Sequence, residues 1–398
     1  MKRFFALLLA ALLILSLAAC GETVTIEPPE VPEVIEPVEP TPEDLAEQER
    51  LAELALREAQ IDGILADLTL EEKVGQLFFL RCPAENAAET VAQYHLGGIL
   101  LFTRDYKDAG ENWLTREQFT DKLITLQSAA TSDTGVPLFI GSDEEGGTVT
   151  RASRNPNLFD SKFPSPQELY KAGGMKGLLT DTLRYNDNLR TLGVNVNFAP
   201  VCDVTSGAGQ FMYDRSFGYD AKATADYIAQ VVSVMNTAGI GATLKHFPGY
   251  GDNVDTHTGV AVDERSYTQF EQVDFLPFLA GIEAGAPFVL VNHNIVKCMD
   301  DTLPASLSSA VHNVLRDTLG FDGVILTDDL DMDAVKAYAD DGSIGVLALA
   351  AGNDMLVCSD LTQIAAIVSA VENGTLDENI IAGACRRVLA VKQTLGLL

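Results

Sequence analysis

Eight short apolar runs, separated by longer segments of helical periodicity, constrain the fold of this 398-residue chain more than any other feature. The runs occupy residues 76–81, 97–102, 136–143, 194–204, 241–247, 287–293, 322–329 and 353–360. Helices are predicted at residues 43–60, 115–131, 175–192, 221–238, 267–284, 306–319, within 331–351, at 362–373 and at 378–396. This alternation is typical of a parallel sheet with crossover helices. Eight units predict an α/β fold, a closed (β/α)8 TIM barrel with a single catalytic domain, and a doubly wound open sheet is the alternative.

Polar residues follow the apolar runs at their carboxyl ends. They are Arg81, Asp143, Asp203, Lys245, His246, His293, Asp328 and Asp360. Because the carboxyl ends of barrel strands share one rim, and catalysis takes place at that rim, the sequence predicts a site there.

The first residues have the layout of an export signal, with a basic start, an apolar run of about 16 residues and small residues before Cys20. The sequence LAAC at residues 17–20 resembles the lipobox of bacterial lipoproteins, in which the cysteine becomes the acylated first residue. We therefore predict a signal peptide at residues 1–19 and an extracytoplasmic protein that a lipidated Cys20 anchors to the cell membrane. An ordinary secretory signal is the alternative.

Three regions are predicted from Cys20 onward. Residues 20–43 are rich in Pro and Glu without apolar periodicity, so this acidic linker is expected to be a disordered, solvated stalk. Residues 44–65, rich in Ala, Glu and Leu, are predicted to form an N-terminal helix. Residues 66–398 are assigned to the barrel domain.

The formal net charge of −30 argues against nucleic acid as a partner, because phosphate binding needs clustered Lys and Arg residues. A neutral or small substrate is expected instead. The six cysteines show no CxxC pair and no short spacing, which indicates neither a disulfide framework nor a zinc site. Apart from Cys20, they are predicted to be buried structural thiols.

Two segments carry residues suited to catalysis. In the Gly-rich stretch KHFPGYGDNVDTHTG, residues 245–259, Asp255 lies two residues before His257 and can orient its imidazole as a proton donor. In ILTDDLDMD, residues 325–333, Asp328 leaves the strand as a nucleophile, a base or a metal ligand. Neither segment has the spacing of a calcium loop, a two-histidine metal site or a phosphate loop, so no metal or cofactor is expected.

These motifs resemble glycoside hydrolase family 3, specifically its β-N-acetylglucosaminidase branch. In order, they are LTLEEKVGQLFF, GGILLF, SDEEGGTVTR, NFAPVCDV, DRSFG, KHFPGYG, DTH and TDDLDM, and the similarity spans residues 66–396. The combination of KHFPG, D-x-H and TDDL is highly specific. The chain departs from common members at Tyr250, where His is frequent, and at Thr256, where Ser is frequent.

The resemblance implies a retaining exo-β-N-acetylglucosaminidase, or β-N-acetylhexosaminidase, that removes terminal β-linked GlcNAc from peptidoglycan-derived fragments. It implies that Asp328 is the nucleophile of a covalent glycosyl-enzyme intermediate and that His257, paired with Asp255, is the acid/base. The implied substrate-binding residues are Asp143, Arg151, Arg215, Lys245 and His246. Asp203 matches less cleanly and is interpreted as structural.

Other functions are compatible with parts of this pattern. A family 3 β-glucosidase or a β-glycoside phosphorylase resembles the same barrel, and a neutral His–Asp pair repels an anionic attacker less than a Glu would. A two-lobed, sugar-binding surface lipoprotein is the non-enzyme alternative. The expected partner is a small GlcNAc-containing carbohydrate, and the protein is expected to be a monomer.

Overall fold

The computed structural model of the protein describes residues 41–205, 207–253, 259, 261–338 and 344–398. The predicted site residues Cys20, Asp255 and His257 therefore lie outside the described residues. The chain divides into two compact units, Met1–Ala52 and Glu53–Leu398. Among the described helices, none has the length and apolar character that a membrane span requires.

Eight parallel strands form the central sheet of the second unit. They are β1 (Phe78–Arg81), β2 (Gly98–Leu101), β3 (Phe139–Ser142), β4 (Val196–Asn197), β5 (Gly241–Phe247), β6 (Phe288–Val291), β7 (Val324–Thr327) and β8 (Leu356–Cys358). Their order is β8-β1-β2-β3-β4-β5-β6-β7. Phe78 of β1 lies opposite Leu356 of β8, and a parallel bridge between Leu326 and Met355 joins β7 to the start of β8. The prediction of a (β/α)8 TIM barrel is confirmed.

Helices surround the strands. The α-helices are Pro42–Asp67, Leu70–Gln76, Ala87–Tyr94, Arg116–Thr131, Pro166–Thr191, Ala221–Ala238, Tyr267–Gln269, Phe275–Glu283, Ser309–Asn313, Asp333–Lys336, Ile344–Ala351, Thr362–Glu372 and Glu378–Thr394. Short 3-10 turns lie at Thr103–Tyr106, Ala152–Arg154 and Ala305–Leu307, and π-helical turns at Phe270–Asp274 and Val314–Thr318. Two short strands outside the barrel, Val262–Asp263 and Ile295–Val296, pair in parallel.

The helix predictions failed where elements are short or interrupted. Leu70–Gln76 and Ala87–Tyr94 were missed because one or two turns show too little periodicity. A capping box between Thr69 and Glu72 marks the first of them in the sequence. The helix Pro166–Thr191 starts earlier than predicted, because Ser165 and Glu168 form a capping box there.

The cysteine prediction holds for four of the five described residues. Cys82, Cys202, Cys358 and Cys385 are buried free thiols. Cys298 is exposed, which corrects the prediction. It follows the short strand Ile295–Val296 in an irregular segment outside the barrel wall, so no packed face covers it.

Aromatic rings fill the interior of the barrel. The ring of Phe79 in β1 makes an edge-to-face contact with Phe198 at 5.1 Å, and Phe139 in β3 makes one with Phe288 at 5.1 Å. Gly141 in β3 makes room for two of these rings, because a Cβ there would lie 2.7 Å from atoms of both Phe79 and Phe198. The barrel axis is therefore a packed core.

A buried lysine lies at the amino-terminal end of the barrel. Lys392 of the last helix is fully buried, and its Nζ donates to Oε1 of Gln76 at 2.5 Å. The same ammonium group lies 5.1 Å from the ring centre of Phe139. Burial lowers the pKa of Lys392 to about 7.

Replacing this lysine is expected to change how stability depends on pH. The folded pKa lies below the unfolded one, so burying the charge costs the most below pH 7 and nothing well above the ordinary lysine pKa. In thermal unfolding, Lys392→Met should gain stability relative to the wild type as the pH falls from 10 to 6. The unpaired Gln76 oxygen adds a cost of about 1–3 kcal/mol that does not depend on pH.

The matched control is Lys336→Met, because Lys336 is exposed. The control should show no such pH trend. The same trend in both variants, or in neither, would contradict the assignment of Lys392 as a buried titrating group.

Candidate active site

The predicted substrate-binding residues meet in one cavity of about 220 Å³ at the carboxyl ends of the strands. Its lining includes Asp143, Arg151, Arg215, Lys245, His246 and Asp328, together with Arg81, Phe102, Phe211, Tyr250 and Asp329. A larger open depression of about 710 Å³, beside the start of the helix Pro166–Thr191, contains none of them. We place the site in the smaller cavity because the charged groups converge there.

Lys245, at the carboxyl end of β5, lies between two carboxylates. Its Nζ is 2.8 Å from Oδ1 of Asp143 and 2.7 Å from Oε1 of Glu145. Arg215 binds the same Glu145 through Nε at 2.9 Å and Nη2 at 2.7 Å. Burial opposes ionisation of Glu145, Lys245 and Arg215, but the opposite charges around each of them outweigh it. The pKa of Glu145 is consequently well below its usual range, and the pKa values of Lys245 and Arg215 are raised.

His246 has its hydrogen-bonding roles set by its two neighbours. Nη2 of Arg215 lies 3.2 Å from Nε2 of His246, and Asp203 lies 2.8 Å from Nδ1. Arginine can only donate and an ionised carboxylate can only accept, so Nε2 is the acceptor and Nδ1 carries the proton. Asp203 also accepts from the backbone N–H of Tyr250 at 2.7 Å. Asp203 thus orients the imidazole and holds the following turn.

Asp328 and Asp329 are adjacent carboxyl groups with different surroundings. Oδ1 of Asp328 accepts from the backbone N–H of Asp329 at 2.8 Å. Burial opposes ionisation of Asp328, but the charge of the nearby His293, the backbone N–H of Asp329 and the ammonium group of Lys245 outweigh it, so its pKa is lowered. Burial raises the pKa of Asp329 to about 6 although Arg81 pairs with it. The first acid of the pair therefore stays ionised at a pH where the second takes up a proton.

Arg151 reaches the cavity from the segment after β3. Its Nη2 lies 3.6 Å from Oδ2 of Asp143, and its guanidinium group lies 5.6 Å from the ring centre of Phe102. Its buried Nε makes no hydrogen bond to the described residues. The buried carboxylate of Glu144 accepts from the backbone N–H of Arg151 at 2.9 Å and of Ala152 at 2.8 Å, which fixes the turn that carries the guanidinium group.

Some functional groups were not singled out from the sequence. The motif SDEEGGTVTR contains Glu145, but its local sequence does not indicate its role, which is to pair with two buried cations that need a buried anion. The pairing of Arg81 with Asp329 joins strands far apart in sequence, so no local signal indicated it. Conversely, Asp360 is not in the cavity lining: its Oδ1 accepts from the backbone N–H of Thr362 at 2.9 Å at the start of the next helix.

The described part of the chain contains one cluster of side chains with the spacing of metal ligands. Glu72, His95 and Asp133 place ligand atoms within 4.8 Å of one another. All three precede strands β1, β2 and β3, at the end of the barrel opposite the cavity. Glu72 already accepts from the backbone N–H of Thr69 in a capping box. We therefore assign this group no part in the site.

A closed (β/α)8 barrel with ionised acids and buried cations at its carboxyl-terminal mouth defines a TIM-barrel enzyme. The glycosyl hydrolase family 3 N-terminal domain matches residues 69–391. The chain belongs to this family of glycoside hydrolases, which confirms the family assigned from the motifs.

The relative and the two solved structures described next are named as hexosaminidases or N-acetylglucosaminidases. The chain is 33% identical over 291 residues to a beta-hexosaminidase from Thioalkalivibrio sulfidiphilus, covering 70% of this chain and 78% of the relative. A family 3 beta-N-acetylglucosaminidase structure from Paenibacillus sp. str. FPU-7 matches with a TM-score of 0.76 and 31% identity, and it covers 83% of this chain and 63% of that protein. A beta-N-acetylhexosaminidase structure from Beutenbergia cavernae matches with a TM-score of 0.71 and 30% identity, covering 82% and 99%. This chain thus spans less than two thirds of the Paenibacillus protein.

Removing the shared carboxylate is expected to destabilise the site. Glu145→Gln leaves Lys245 and Arg215 buried with one fewer negative charge, which should lower the free energy of unfolding by roughly 3–5 kcal/mol. Urea unfolding measures this change. Glu264→Gln, which removes one partner of an exposed ion pair with Lys297, is the control and should leave the unfolding midpoint almost unchanged. Equal midpoints for the two variants would contradict the role given to Glu145.

Proposed function

We propose that this protein is a retaining exo-β-N-acetylglucosaminidase that hydrolyses terminal β-linked GlcNAc from peptidoglycan-derived fragments. The main support is the cavity that contains Asp328 together with Asp143, Arg151, Arg215, Lys245 and His246. The names of the similar enzymes point to the same substrate class. The compact cavity, with a floor of packed aromatic rings, suits a single terminal sugar.

Asp328 is the proposed nucleophile. Its lowered pKa keeps it ionised, and the barrel strand β7 holds it in a fixed position. Its carboxylate attacks the anomeric carbon while the bond to the leaving oxygen breaks, which forms a glycosyl ester. Water then cleaves the ester at the anomeric carbon and restores the carboxylate, with overall retention of configuration.

His257, paired with Asp255, is the proposed acid/base. It gives its proton to the leaving oxygen in the first step and takes a proton from the attacking water in the second. The support is the D-x-H motif in the segment that follows β5.

The cationic groups of the cavity are the proposed sugar-binding residues. Lys245 and Arg215 remain protonated and can donate to sugar hydroxyl or N-acetyl oxygens. Asp143 accepts hydrogen bonds, so it can receive them from sugar hydroxyls.

The nucleophile assignment is tested by Asp328→Asn. This variant should lose roughly a thousandfold or more of the activity on an aryl β-N-acetylglucosaminide, because an amide cannot form the ester. The control is Asp322→Asn, which changes an exposed carboxylate just before the same strand and should keep wild-type activity. Activity in Asp328→Asn equal to that of the control would overturn the assignment.

The same assay separates the proposed hydrolase from related activities. A hydrolase should release the aryl group at a rate that added inorganic phosphate does not change, and it should prefer the N-acetylglucosaminide to the glucoside. Phosphate-dependent release would indicate a phosphorylase.

We also propose that Cys20 carries the lipid that anchors the protein outside the cytoplasm. The support is the LAAC sequence after the apolar run. In bacteria grown with an alkyne-labelled fatty acid, the full chain should become labelled and Cys20→Ser should not. Cys298→Ser removes an exposed thiol and should retain the label. Label in Cys20→Ser, or none in the wild type, would contradict lipidation.

A further inference from the structure

Arg265 forms a largely buried ion-pair cluster beneath the segment that leaves β5. Its Nη1 lies 2.8 Å from Oδ2 of Asp274, and its Nη2 lies 2.7 Å from Oδ2 of Asp263. Both carboxylate residues are 1% exposed. The guanidinium group also lies 4.3 Å from the ring centre of Phe270. A planar guanidinium group bound on several edges has a fixed position and orientation.

The cluster contacts the chain directly after β5. Nη2 of Arg265 donates to the carbonyl oxygen of Gly249 at 2.9 Å, and Nδ2 of Asn253 donates to Oδ2 of Asp263 at 2.6 Å. At Gly251, where φ is +54°, a Cβ would lie 2.6 Å from the guanidinium carbon. The backbone between Gly249 and Asn253 therefore packs directly against the Arg265–Asp263 pair, because Gly251 places no side chain between them.

The same cluster is joined to the chain where it returns toward the barrel. Asp263 belongs to the strand Val262–Asp263, which pairs with Ile295–Val296. The backbone N–H of Ile295 donates to the carbonyl oxygen of Ala261 at 2.8 Å, and that of Lys297 donates to the carbonyl oxygen of Asp263 at 3.0 Å. One ion-pair cluster thus connects the outgoing backbone near Gly249 with the returning backbone near Asp263.

We propose that Arg265 is a positioning residue for proton transfer. It sets the distance and orientation between Gly249–Asn253 and Ala261–Asp263, the two stretches that bound the sequence carrying Asp255 and His257. This inference rests on the proposed function, in which His257 protonates the leaving oxygen. A displacement of about 1 Å in a catalytic group can lower the rate 10²-fold. The ion-pair cluster of Arg265 therefore affects catalysis without contacting the sugar.

Two substrates with different leaving groups test this role. Departure of 2,4-dinitrophenolate needs almost no proton donation, whereas departure of the sugar alcohol in N,N′-diacetylchitobiose depends on it. The ratio kcat/KM reports the first, glycosidic bond-breaking step for both. Arg265→Ala should lower kcat/KM roughly 10- to 100-fold more for chitobiose than for the dinitrophenyl glycoside. Arg265→Lys keeps the positive charge but lacks the planar guanidinium group. The losses of kcat/KM on the two substrates should therefore differ less in this variant than in Arg265→Ala.

The matched control is Arg316→Ala. Arg316 is also partly buried, pairs with Asp354, donates to the carbonyl oxygens of Phe321 and Gly323 at 2.7 Å each, and lies 5.5 Å from an aromatic ring centre. It lies before β7, at the end of the barrel opposite the cavity. Any loss in Arg316→Ala should be equal for the two substrates.

The outcomes distinguish the inference from the proposed function. An equal loss on both substrates in Arg265→Ala, matching the loss in Arg316→Ala, would show a structural role only and overturn the inference. If Arg265→Ala does not fold, Asn253→Ala tests the same inference, because it removes only the hydrogen bond from Asn253 to Asp263. This variant should also lose more kcat/KM on chitobiose than on the dinitrophenyl glycoside. An inactive wild-type protein on both substrates would instead contradict the proposed function.

Discussion

The ion pairs of Glu145 with Lys245 and Arg215 hold two cations in a cavity where each alone would lose its hydration without compensation. Two further polar contacts of the site involve the same cations. Lys245 is held toward Asp143, and Arg215 reaches His246 and sets its tautomer. The ion pairs offset the cost of removing these charges from water. Lys245 and Arg215 are therefore already in position before a substrate binds.

Two lysines are buried among the residues that the structure describes, and their surroundings differ. Lys245 at the carboxyl end has two carboxylate partners, whereas Lys392 at the opposite end has a neutral amide and an aromatic face. The two carboxylates outweigh burial and raise the pKa of Lys245, whereas burial lowers the pKa of Lys392 to about 7. The lysine at the cavity end is therefore held as a cation by its ion pairs, whereas the lysine at the opposite end has no carboxylate among its described contacts.

Local sequence patterns predicted the barrel well because each strand is a continuous apolar run with a polar end. The polar strand ends Arg81, Asp143, Lys245, His246 and Asp328 do line the cavity, but Asp203, His293 and Asp360 from the same pattern do not, and Arg151 and Arg215 were predicted only from the family resemblance. Local patterns failed for Leu70–Gln76 and Ala87–Tyr94, which are too short to show a period. The role of Glu145 depends on partners about 70 and 100 residues away, and such pairing is set by tertiary packing that no local pattern encodes.

The rings of Phe79, Phe139, Phe198 and Phe288 close the barrel axis below the cavity, and Gly141 allows two of them to meet. Phe198 is itself part of the cavity floor. In the proposed reaction, the sugar, the leaving group and the hydrolytic water therefore do not pass along the barrel axis. In the proposed mechanism, the leaving group departs before water takes its place, and the released monosaccharide departs before another chain end binds. In the proposed reaction, each turnover therefore includes exchange of the leaving group for water on the side of the cavity away from these rings.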